Sequence, residues 1–391
     1  MRFVHLADLH IGIRVNGFSM LDDQIHILDQ ILGKIEEINP DGVLIAGDVY
    51  DKAQPSSQAV KLLDEFLQRM LRPDRRVLII PGNHDSPERL SFGAGILSRQ
   101  GLHIAGPYEG KLEIVTMRDE FGEADIALLP FLRPASVRPF AGGRDIESTA
   151  DAVSFALSQS DFYTDKRRIL LAHQFVVAGG QLPLRSESET AYAGGIEAID
   201  ISLFDAFDYV ALGHLHKPQK MGKDHIRYAG SPLKYSFAES KPDKSIVQID
   251  LLDEGEILIT EHRLEPLHDL REIKGSFSDL IAEGARLLWV DDPVRLDFLK
   301  VVLTDTEVLA DPLPNLRRYY PNIMQMQLER ARYDIAIEGQ PQAEDLRSLS
   351  GGEMFAKFYQ SREGRGLSDK ERQILNRLKI KDFFVREEAE R

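Results

Sequence analysis

The stretch Arg76-Val-Leu-Ile-Ile-Pro-Gly-Asn-His-Asp85 decides the fold that we predict for this chain. Its apolar run, residues 77–80, is typical of a buried strand, and Pro81-Gly82 turns the backbone sharply after it. An amide, an imidazole and a carboxylate follow at once: Asn83, His84 and Asp85. In open α/β sheets, ligands bind at the carboxyl ends of the strands. The stretch therefore predicts a polar site at such an edge.

Four other apolar runs end in the same way. Residues 3–7, 43–46, 169–172 and 209–212 have the character of buried strands. They lead into a further set of polar side chains: Asp8, His10, Asp48, His173, His214 and His216. One histidine at a strand end is more often a solvated loop residue than a ligand. Of the 11 histidines in the chain, however, five occupy these strand-end motifs, and coincidence explains such a set poorly.

The strand-end motifs offer carboxylate, imidazole and amide oxygen but no sulfur, because the chain has no cysteine. This chemistry suits Mn, Fe or Zn, and the ligands are too many for one ion. Two ions about 3.5–4 Å apart need a bridging carboxylate, and they clamp the attacking and leaving oxygens of a phosphoryl group. Asp48, on a central strand, is the natural bridge. We expect Asp85 to orient His84, which can then protonate a leaving alkoxide.

The composition is that of a soluble globular protein, with 43% hydrophobic and 28% charged residues among 391. The lack of cysteine fits a reducing cytosol, and no long apolar segment marks a leader or a membrane span. We therefore expect a cytoplasmic protein without membrane contact. The net charge of −15 opposes tight non-specific binding to DNA by this chain alone. Bound metal ions add local positive charge, so a phosphodiester substrate is not excluded.

Apolar residues at helical spacing predict helices over Leu21–Ile38 and Ser57–Met70. The first of these helices and the strands at 3–7 and 43–46 form a βαβ unit, which indicates a parallel sheet. Leu62, Phe66 and Leu90 give residues 57–70 and 88–99 surplus apolar surface. This surplus is either core or the contact of a homodimer. The strands predicted at 226–229, 245–251 and 256–262 lack intervening helices and suggest a meander added to the sheets.

Residues 132–144 form a Pro/Gly-rich loop that contains three arginines and no acid. Such a loop is either solvated or a contact for phosphate, and the arginines are its candidate substrate-binding residues: Arg133, Arg138 and Arg144.

The composition changes near residue 264. The sequence pattern after this point alternates between strand and helix and predicts a small α+β domain over 266–335. A polar linker and a helical tail follow over 336–391. Two capping boxes, Ser350 with Glu353 and Ser368 with Glu371, begin the tail helices. The apolar residues of these helices have little chain to pack against, so we expect them to dock on a partner. Alternatively, the helices fold back onto the catalytic domain. The apolar residues concerned are Met354, Phe355, Phe358, Tyr359, Ile374 and Leu378.

The run Leu349-Ser-Gly-Gly-Glu353 is similar to the signature of ABC ATPases. The chain contains no phosphate-binding loop of the Gly-x-x-x-x-Gly-Lys-Ser/Thr type, so we interpret the run as a helix start.

The five strand-end motifs, in their order, resemble those of the calcineurin-like metallophosphoesterases. Phe131-Leu-Arg-Pro134, residues 209–216, Arg227-Tyr-Ala-Gly-Ser-Pro232 and residues 346–358 are also similar to the bacterial branch of the double-strand-break-repair nuclease family. This resemblance extends to about residue 381. It implies an α/β sandwich of two mixed sheets flanked by helices over 1–265, a small DNA-capping domain over 266–335, and C-terminal helices that bind an SMC-like ABC ATPase.

The resemblance also implies the roles of the site residues. One Mn²⁺ ion would be held by Asp8, His10, Asp48 and His216. The second would be held by Asp48, Asn83, His173 and His214, with Mg²⁺, Fe²⁺ or Zn²⁺ as alternative metals. His84 would act on the transition state.

The activity implied by the resemblance is 3′→5′ exonuclease cleavage of double-stranded DNA ends and endonuclease cleavage of hairpins and single strands. The nuclease would be a homodimer within a heterotetramer. Asp51 occupies the position where archaeal and eukaryotic relatives carry a second functional histidine, so the balance of the two activities stays open. The alternatives are a stand-alone phosphoesterase for nucleotides or phosphoproteins, which the extra C-terminal segments oppose, and a non-catalytic scaffold, which the intact ligand set opposes.

Overall fold

The computed structural model describes residues 1–160, 166–180, 182–184, 198–241, 243–253, 256–305 and 309–329, with four short pieces at 355–356, 359–360, 365–368 and 371–372. Met1–Glu329 forms one compact unit and Arg330–Arg391 a second. In the part of the chain that is described, no helix is both long and apolar enough to cross a membrane.

The described strands, in chain order, are β1 (Arg2–Leu6), β2 (Arg14–Val15), β3 (Phe18–Ser19), β4 (Gly42–Ala46), β5 (Arg76–Ile80), β6 (Leu102–Ile104), β7 (Glu113–Asp119), β8 (Gly122–Leu129), β9 (Arg167–His173), β10 (Val176–Val177), β11 (Ile199–Asp200), β12 (Tyr209–Gly213), β13 (Gln219–Met221), β14 (Lys223–Tyr228), β15 (Lys244–Leu251), β16 (Ile257–Leu264), β17 (Leu270–Gly275), β18 (Phe298–Leu303) and β19 (Ile323–Leu328). The described α-helices are α1 (Leu21–Ile38), α2 (Ser57–Met70), α3 (Pro87–Leu90), α4 (Ala94–Leu97), α5 (Pro134–Val137), α6 (Thr149–Ser158), α7 (Phe277–Trp289) and α8 (Pro312–Arg317).

Two six-stranded sheets form the larger part of the first unit. Their strand orders are β16-β15-β1-β4-β5-β6 and β13-β14-β12-β9-β8-β7. In each sheet four neighbouring strands are parallel, namely β1-β4-β5-β6 and β14-β12-β9-β8. The outer pairings are antiparallel. The prediction of an α/β sandwich of two mixed sheets is confirmed.

The sheets pack face to face because their central strands are apolar on both sides. In β4, Val43 and Ile45 join the core under α1 and α2, whereas Leu44 and Ala46 point into the core between the sheets. The same alternation holds in β9, where residues 169 and 171 face the other sheet and residues 170 and 172 face α6. Strands covered on both faces are expected to be continuously hydrophobic, as these are.

The helices predicted at Leu21–Ile38 and Ser57–Met70 are confirmed. Asn39 ends α1 in the left-handed conformation, with its N–H donating to the carbonyl oxygen of Ile35. Ser56 caps α2 by accepting a hydrogen bond from Ala59 N at 3.2 Å. The structure thus has the helix boundaries that the periodicity and breaker residues predicted.

Of the two explanations for the apolar surface of Leu62, Phe66 and Leu90, core is confirmed and a homodimer contact through these residues is wrong. Phe66 and Leu90 are only 2% and 8% exposed, and Leu62 packs against the same core. These residues cover the outer face of the first sheet. The exposed large apolar side chains of residues 57–70 and 88–99 are Phe92, Ile96 and Val60, at 87%, 74% and 46% exposure.

The meander predicted from residues 226–262 is also wrong. Strand β14 pairs with β12 in the second sheet, while β15 and β16 form a hairpin that pairs with β1 in the first. Alternation of apolar residues identified these strands, but it does not reveal which sheet edge each one completes.

A smaller sheet, β17-β18-β19, is entirely parallel, with α7 and α8 in the connections between its strands. Its core includes Leu280 of α7, Val301 of β18 and Leu316 of α8. The segment just before β17 contacts the larger part of the unit: His268 N donates to Asp23 of α1 at 3.0 Å, and Lys234 Nζ donates to Asp269 at 2.7 Å. The domain boundaries at 265 and 335 stay predictions.

In the second unit the capping box of Ser368 and Glu371 is confirmed. Ser368 N donates to the Glu371 carboxylate at 2.7 Å, and Glu371 N donates to Ser368 Oγ at 3.4 Å. Of the other residues predicted to matter in the tail, the structure describes Phe355 and Tyr359. The remaining predicted features lie outside the described residues, namely Ser350, Glu353, Met354, Phe358, Ile374, Leu378 and the run 349–353.

Candidate metal centre

The carboxyl ends of five strands meet at one edge of the two packed sheets. Strands β1, β4 and β5 contribute from the first sheet, and β9 and β12 from the second. Within the first sheet, His10 N donates to Asp48 O at 2.9 Å. Between the sheets, His214 N donates to Asp8 Oδ1 at 2.9 Å, and His173 Nδ1 lies 2.7 Å from Ala46 O. These hydrogen bonds bring the strand-end motifs into one site.

Four of the predicted ligands have positive φ angles, a backbone conformation that is unusual for residues other than glycine. The φ angles are 54° for Asp8, 43° for His10, 48° for Asp48 and 106° for His214. Each such residue costs about 1–3 kcal/mol and persists only where its surroundings fix it, most often at functional sites. The strained backbone therefore marks the strand ends as a functional site.

Two glycines permit the close approach of these strand ends. A Cβ atom added to Gly213 would lie 1.8 Å from the carbonyl oxygen of Ala46, and one added to Gly82 would lie 2.1 Å from Asp48 Oδ1. Any larger residue would push β12 away from β4 or displace the carboxylate of Asp48.

Asp8, His10 and His216 form the first group of ligand atoms. His10 Nε2 and His216 Nε2 face each other at 3.1 Å, and Asp48 Oδ2 lies 3.6 Å from His10 Nε2. Metal–nitrogen bonds of about 2.1 Å place adjacent ligand atoms about 3 Å apart. The separation of the two imidazole nitrogens therefore fits a shared metal ion.

Asp48, Asn83, His173 and His214 form the second group. Asn83 Oδ1 lies 3.1 Å from His173 Nε2 and 2.9 Å from His214 Nδ1. Asp48 Oδ2 lies 3.3 Å from His173 Nε2. The same Asp48 oxygen thus faces both groups, while its other oxygen accepts a hydrogen bond from His84 N at 2.9 Å. This geometry is the one that a bridging carboxylate requires.

Burial and mutual charge shift the pKa values of these groups strongly. Burial raises the pKa of Asp8 to about 6 and lowers the pKa of His214 to about 3. Burial would also lower the pKa of His173, but the carboxylates of Asp48 and Asp8 outweigh it and raise that pKa to about 9. Burial opposes ionisation of Asp48, yet His173 and His10 lower its pKa. Such a dense set of perturbed groups is typical of a functional site.

His84 lies beside the first group, with its ring perpendicular to that of His10 and the ring centres 4.9 Å apart. Its Nδ1 lies 2.9 Å from the carbonyl oxygen of Asp51, so Nδ1–H donates there and the lone pair of the neutral ring is on Nε2. The expectation that Asp85 orients His84 is wrong. The carboxylate of Asp85 instead accepts hydrogen bonds from the backbone N–H groups of three residues at 2.9–3.0 Å: Val49, Tyr50 and Gly82.

The three arginines of the 132–144 loop have different environments. The guanidinium of Arg133 lies over the Phe131 ring at 5.4 Å, and that ring stacks on the imidazole of His214. Arg138 donates to Ile146 O at 2.9 Å, and Arg144 packs on Phe155. The structure therefore connects Arg133 to the metal centre through Phe131, whereas the described contacts of Arg138 and Arg144 hold the loop itself.

Sequence reasoning missed the residues that support the ligands. Gln24 of α1 donates to His10 O at 2.8 Å and accepts from Gly12 N at 2.9 Å, and Tyr235 donates to Leu9 O at 2.6 Å. Both side chains hold the loop that carries His10. Glu239 contacts His216. An isolated polar residue far along the chain gives no signal of such a role.

Comparisons with known proteins identify the family of this chain. Residues 1–218 match the family model described as Calcineurin-like phosphoesterase, and residues 266–363 match one described as Type 5 capsule protein repressor C-terminal domain. The chain belongs to the calcineurin-like phosphoesterases, the class predicted from its strand-end motifs.

Two curated relatives narrow this class. Both are named as the SbcD subunit of the nuclease SbcCD. The protein from Staphylococcus epidermidis is 33% identical over 328 residues, which cover 83% of this chain and 84% of the relative. The protein from Staphylococcus saprophyticus is 29% identical over 383 residues, 97% of each chain. Within the class, the chain is therefore a member of the SbcD family.

A solved structure of a dimetal phosphatase from Danio rerio also matches, with 10% identity and a TM-score of 0.37. The match covers 68% of this chain and 96% of that one.

Proposed function

We propose that this chain is the nuclease subunit of an SbcCD-type complex and hydrolyses phosphodiester bonds in DNA with two divalent metal ions. The observation that carries this proposal is the position of Asp48 Oδ2, 3.6 Å from His10 Nε2 and 3.3 Å from His173 Nε2. One carboxylate oxygen shared by two ligand groups supports a dinuclear centre. Membership of the SbcD family favours the nuclease over a stand-alone phosphoesterase for nucleotides or phosphoproteins.

The first ion would be held by Asp8, His10, Asp48 and His216, and the second by Asp48, Asn83, His173 and His214. Oxygen and imidazole ligands without sulfur suit Mn²⁺, the proposed metal, with Mg²⁺, Fe²⁺ and Zn²⁺ as alternatives. When bound, the two ions would act as Lewis acids that lower the pKa of water and would neutralise negative charge on the phosphoryl group.

The remaining chemistry belongs to side chains. His84 is held at Nδ1 by the Asp51 carbonyl oxygen, so its Nε2 is directed at the reacting group. In its protonated form it donates a proton from Nε2 to the oxygen that leaves the phosphorus, or stabilises charge on the phosphoryl oxygens. Asp85 acts indirectly, because its hydrogen bonds fix the backbone after β4 and β5.

The proposed substrates are double-stranded ends, cleaved 3′→5′, and DNA hairpins and single strands. Arg133 is the arginine best placed for a phosphate contact, because its partner Phe131 adjoins His214 and His173. Phosphate contacts of this kind position DNA without reading its sequence. A DNA substrate also supports a cytoplasmic location.

A cleavage assay tests this function against its alternative. We expect Mn²⁺-dependent cutting of a linear duplex and of a hairpin, and loss of both activities with a chelator. The His84→Ser variant is the matched catalytic control. Hydrolysis of nucleoside monophosphates together with intact duplex and hairpin would favour the stand-alone phosphoesterase.

The proposed partner is an SbcC-like SMC/ABC ATPase that binds the C-terminal tail. This proposal rests on the capped helix start at Ser368, the exposed Phe355, and the relatives named as part of SbcCD. Burying one large apolar side chain contributes about 1.5–3 kcal/mol, so several together would support stable docking. Deleting residues 339–391 should abolish binding of the ATPase in a pull-down and leave basal nuclease activity intact. Retained binding of the ATPase, or loss of basal nuclease activity, would indicate that the tail is part of the catalytic domain and not a docking segment.

The chain is also proposed to be a homodimer within a heterotetramer. Because Leu62, Phe66 and Leu90 pack in the core, the proposed contact uses instead the most exposed apolar side chains of this region, Phe92 and Ile96. Replacing both of these with Glu should give a folded monomer in sedimentation. Phe121→Glu, at a residue 44% exposed in the β7–β8 turn, is the matched control and should leave the dimer intact. A wild-type chain that is monomeric at high concentration would refute the dimer.

A further inference from the structure

A buried polar cluster holds His216 from the side away from the proposed metal ions. Glu239, Lys244 and Ser231 form it, with exposures of 1%, 4% and 0%. Glu239 Oε1 lies 3.3 Å from His216 Nδ1. Lys244 Nζ donates to Glu239 Oε2 at 2.5 Å, to His216 O at 2.8 Å and to Ser231 Oγ at 2.8 Å. Both the ring and the backbone of His216 are therefore held.

Removing two charges from water is costly, and the mutual attraction of a buried pair often only offsets that cost. A pair of apolar side chains would fill the same space as well or better. The carboxylate supplies something that an apolar residue cannot, namely an acceptor aimed at Nδ1 of the imidazole. If Nδ1–H donates to Glu239, Nε2 has its lone pair free and directed at His10 and Asp8.

The other histidine ligands are held differently. His173 Nδ1 faces the carbonyl oxygen of Ala46 at 2.7 Å, and His214 uses Nδ1 itself toward Asn83. His10 Nδ1 lies 4.0 Å from Asp51 Oδ1, beyond hydrogen-bond distance. Among the histidines that the structure describes at this site, His216 is thus the one with a carboxylate at about hydrogen-bond distance from Nδ1. Carboxylates in this position orient histidine ligands of metals, and their loss weakens metal binding about 10–100-fold.

The stretch Arg227-Tyr-Ala-Gly-Ser-Pro232 completes the cluster. Ser231 N donates to His216 O at 3.1 Å, and a Cβ atom on Gly230 would lie 2.7 Å from the same oxygen. Glycine is therefore needed at position 230, where this stretch packs against the loop of His216.

We propose that Glu239 is a positioning residue that fixes His216 in the Nδ1–H tautomer and aims Nε2 at the first metal ion, while Lys244 holds the carboxylate in place. The proposal deepens the proposed function and rests on it for the presence of the metal. Glu239 itself touches neither the metal nor the substrate. Its effect is confined to the metal position that includes His216.

The double variant Glu239→Leu/Lys244→Met tests the proposal, because it removes both buried charges and leaves neither unpaired. We expect a folded protein in which the site containing His216 binds Mn²⁺ about 10–100-fold more weakly in calorimetry, with the other site changed less than about threefold. Glu239→Gln keeps an oxygen that can accept from Nδ1, and it should restore part of the affinity when combined with Lys244→Met. The matched control is Asp119→Leu/Arg167→Met, which removes an ion pair at the opposite end of β9 and should leave both affinities unchanged.

A second measurement needs neither metal nor folding of the variants. Long-range ¹H–¹⁵N correlation spectra of the metal-free wild-type protein, at a pH where His216 is neutral, report which ring nitrogen carries the proton. We expect it on Nδ1. A proton on Nε2, or a double variant with wild-type affinity at the first site, would overturn the proposal. If the wild-type chain binds no Mn²⁺, the proposed function fails, while the tautomer still tests the role of Glu239.

Discussion

The imidazole of His84 is anchored at Nδ1 by the carbonyl oxygen of Asp51, and the carboxylate of the next residue, Asp85, is used entirely by backbone N–H groups. Adjacent residues thus have separate functions. The backbone carbonyl of Asp51 holds the ring of His84, and the carboxylate of Asp85 fixes the two backbone turns around it. The side chain of Asp51 lies 4.0 Å from Nδ1 of His10, so Asp51 lies next to both His84 and His10.

Replacing His84 with Ser should reduce DNA cleavage at least about 100-fold and leave two Mn²⁺ ions bound, because His84 is assigned to the leaving group and not to a metal. Nuclease rate and Mn²⁺ stoichiometry measured on the same preparation check this. The structure makes the test informative, since His84 also lies close to His10 and Asp48. Loss of one Mn²⁺ equivalent would make His84 a ligand.

At the residue scale, the sequence predicted which side chains meet because parallel strands in both sheets end at one edge. Asp8, His10, Asp48, Asn83, His173, His214 and His216 could be chosen from strand ends alone. The role of Asp85 was predicted wrongly, because its partners are backbone N–H groups, two of them in the loop after a different strand, β4. Glu239 was missed because it comes 23 residues after His216, in a loop without a motif.

At the scale of elements, the site depends on how closely β12 of the second sheet approaches β4 of the first. The Cα of Gly213 leaves no room for a side chain, since a Cβ would lie 1.8 Å from Ala46 O. His214 follows Gly213 directly, so any shift of β12 also moves a proposed ligand. Strand identity was predictable from apolar runs, but the pairing of β14 and β15 with different sheets was not. Local periodicity contains no information about a free edge.

The Gly213→Ala substitution should lower the free energy of unfolding by about 3 kcal/mol, because the added methyl group forces the two strands apart. Mn²⁺ affinity should fall as well. Gly33→Ala is the matched control. It lies in α1, where a Cβ meets nothing within 4 Å, and should raise stability by about 0.5–1 kcal/mol. Urea unfolding measures the stability of both variants. Equal stability of Gly213→Ala and Gly33→Ala would contradict the close approach of β12 to β4.

At the scale of the whole molecule, the two sheets are also joined at the end opposite the metal centre. Arg167 at the start of β9 pairs with Asp119 of β7 and donates to Leu251 O of β15 at 3.2 Å. Asp119 also accepts from the amino group of Met1 at 2.6 Å. These hydrogen bonds link strands of different sheets, so the two sheets are joined both at the metal centre and at the opposite end.

This second junction predicts a pH dependence of stability. Burial would raise the pKa of Asp119, but hydrogen bonds from Arg167 and the Met1 amino group lower it to about 2. A carboxyl pKa that is lower in the folded state stabilises the fold above about pH 4, and this contribution is lost as the pH falls toward 2. Asp119→Asn should therefore cost about 1–2 kcal/mol at neutral pH, a modest value because the carboxylate is partly exposed. Thermal unfolding between pH 7 and 2 should show that the stability difference between Asp119→Asn and wild type disappears as the pH falls from 4 toward 2. A difference that stays constant over this range would refute the low pKa of Asp119.

The central claim for the whole molecule is that two sheets share one dinuclear metal centre through the carboxylate of Asp48. Calorimetric titration of the metal-free chain with Mn²⁺, for wild type and Asp48→Asn, tests it most directly. We predict two equivalents per wild-type chain, and in Asp48→Asn a loss of affinity at both sites, since the one oxygen faces His10 and His173 alike. A single equivalent in the wild type, or one site of unchanged affinity in the variant, would contradict the claim.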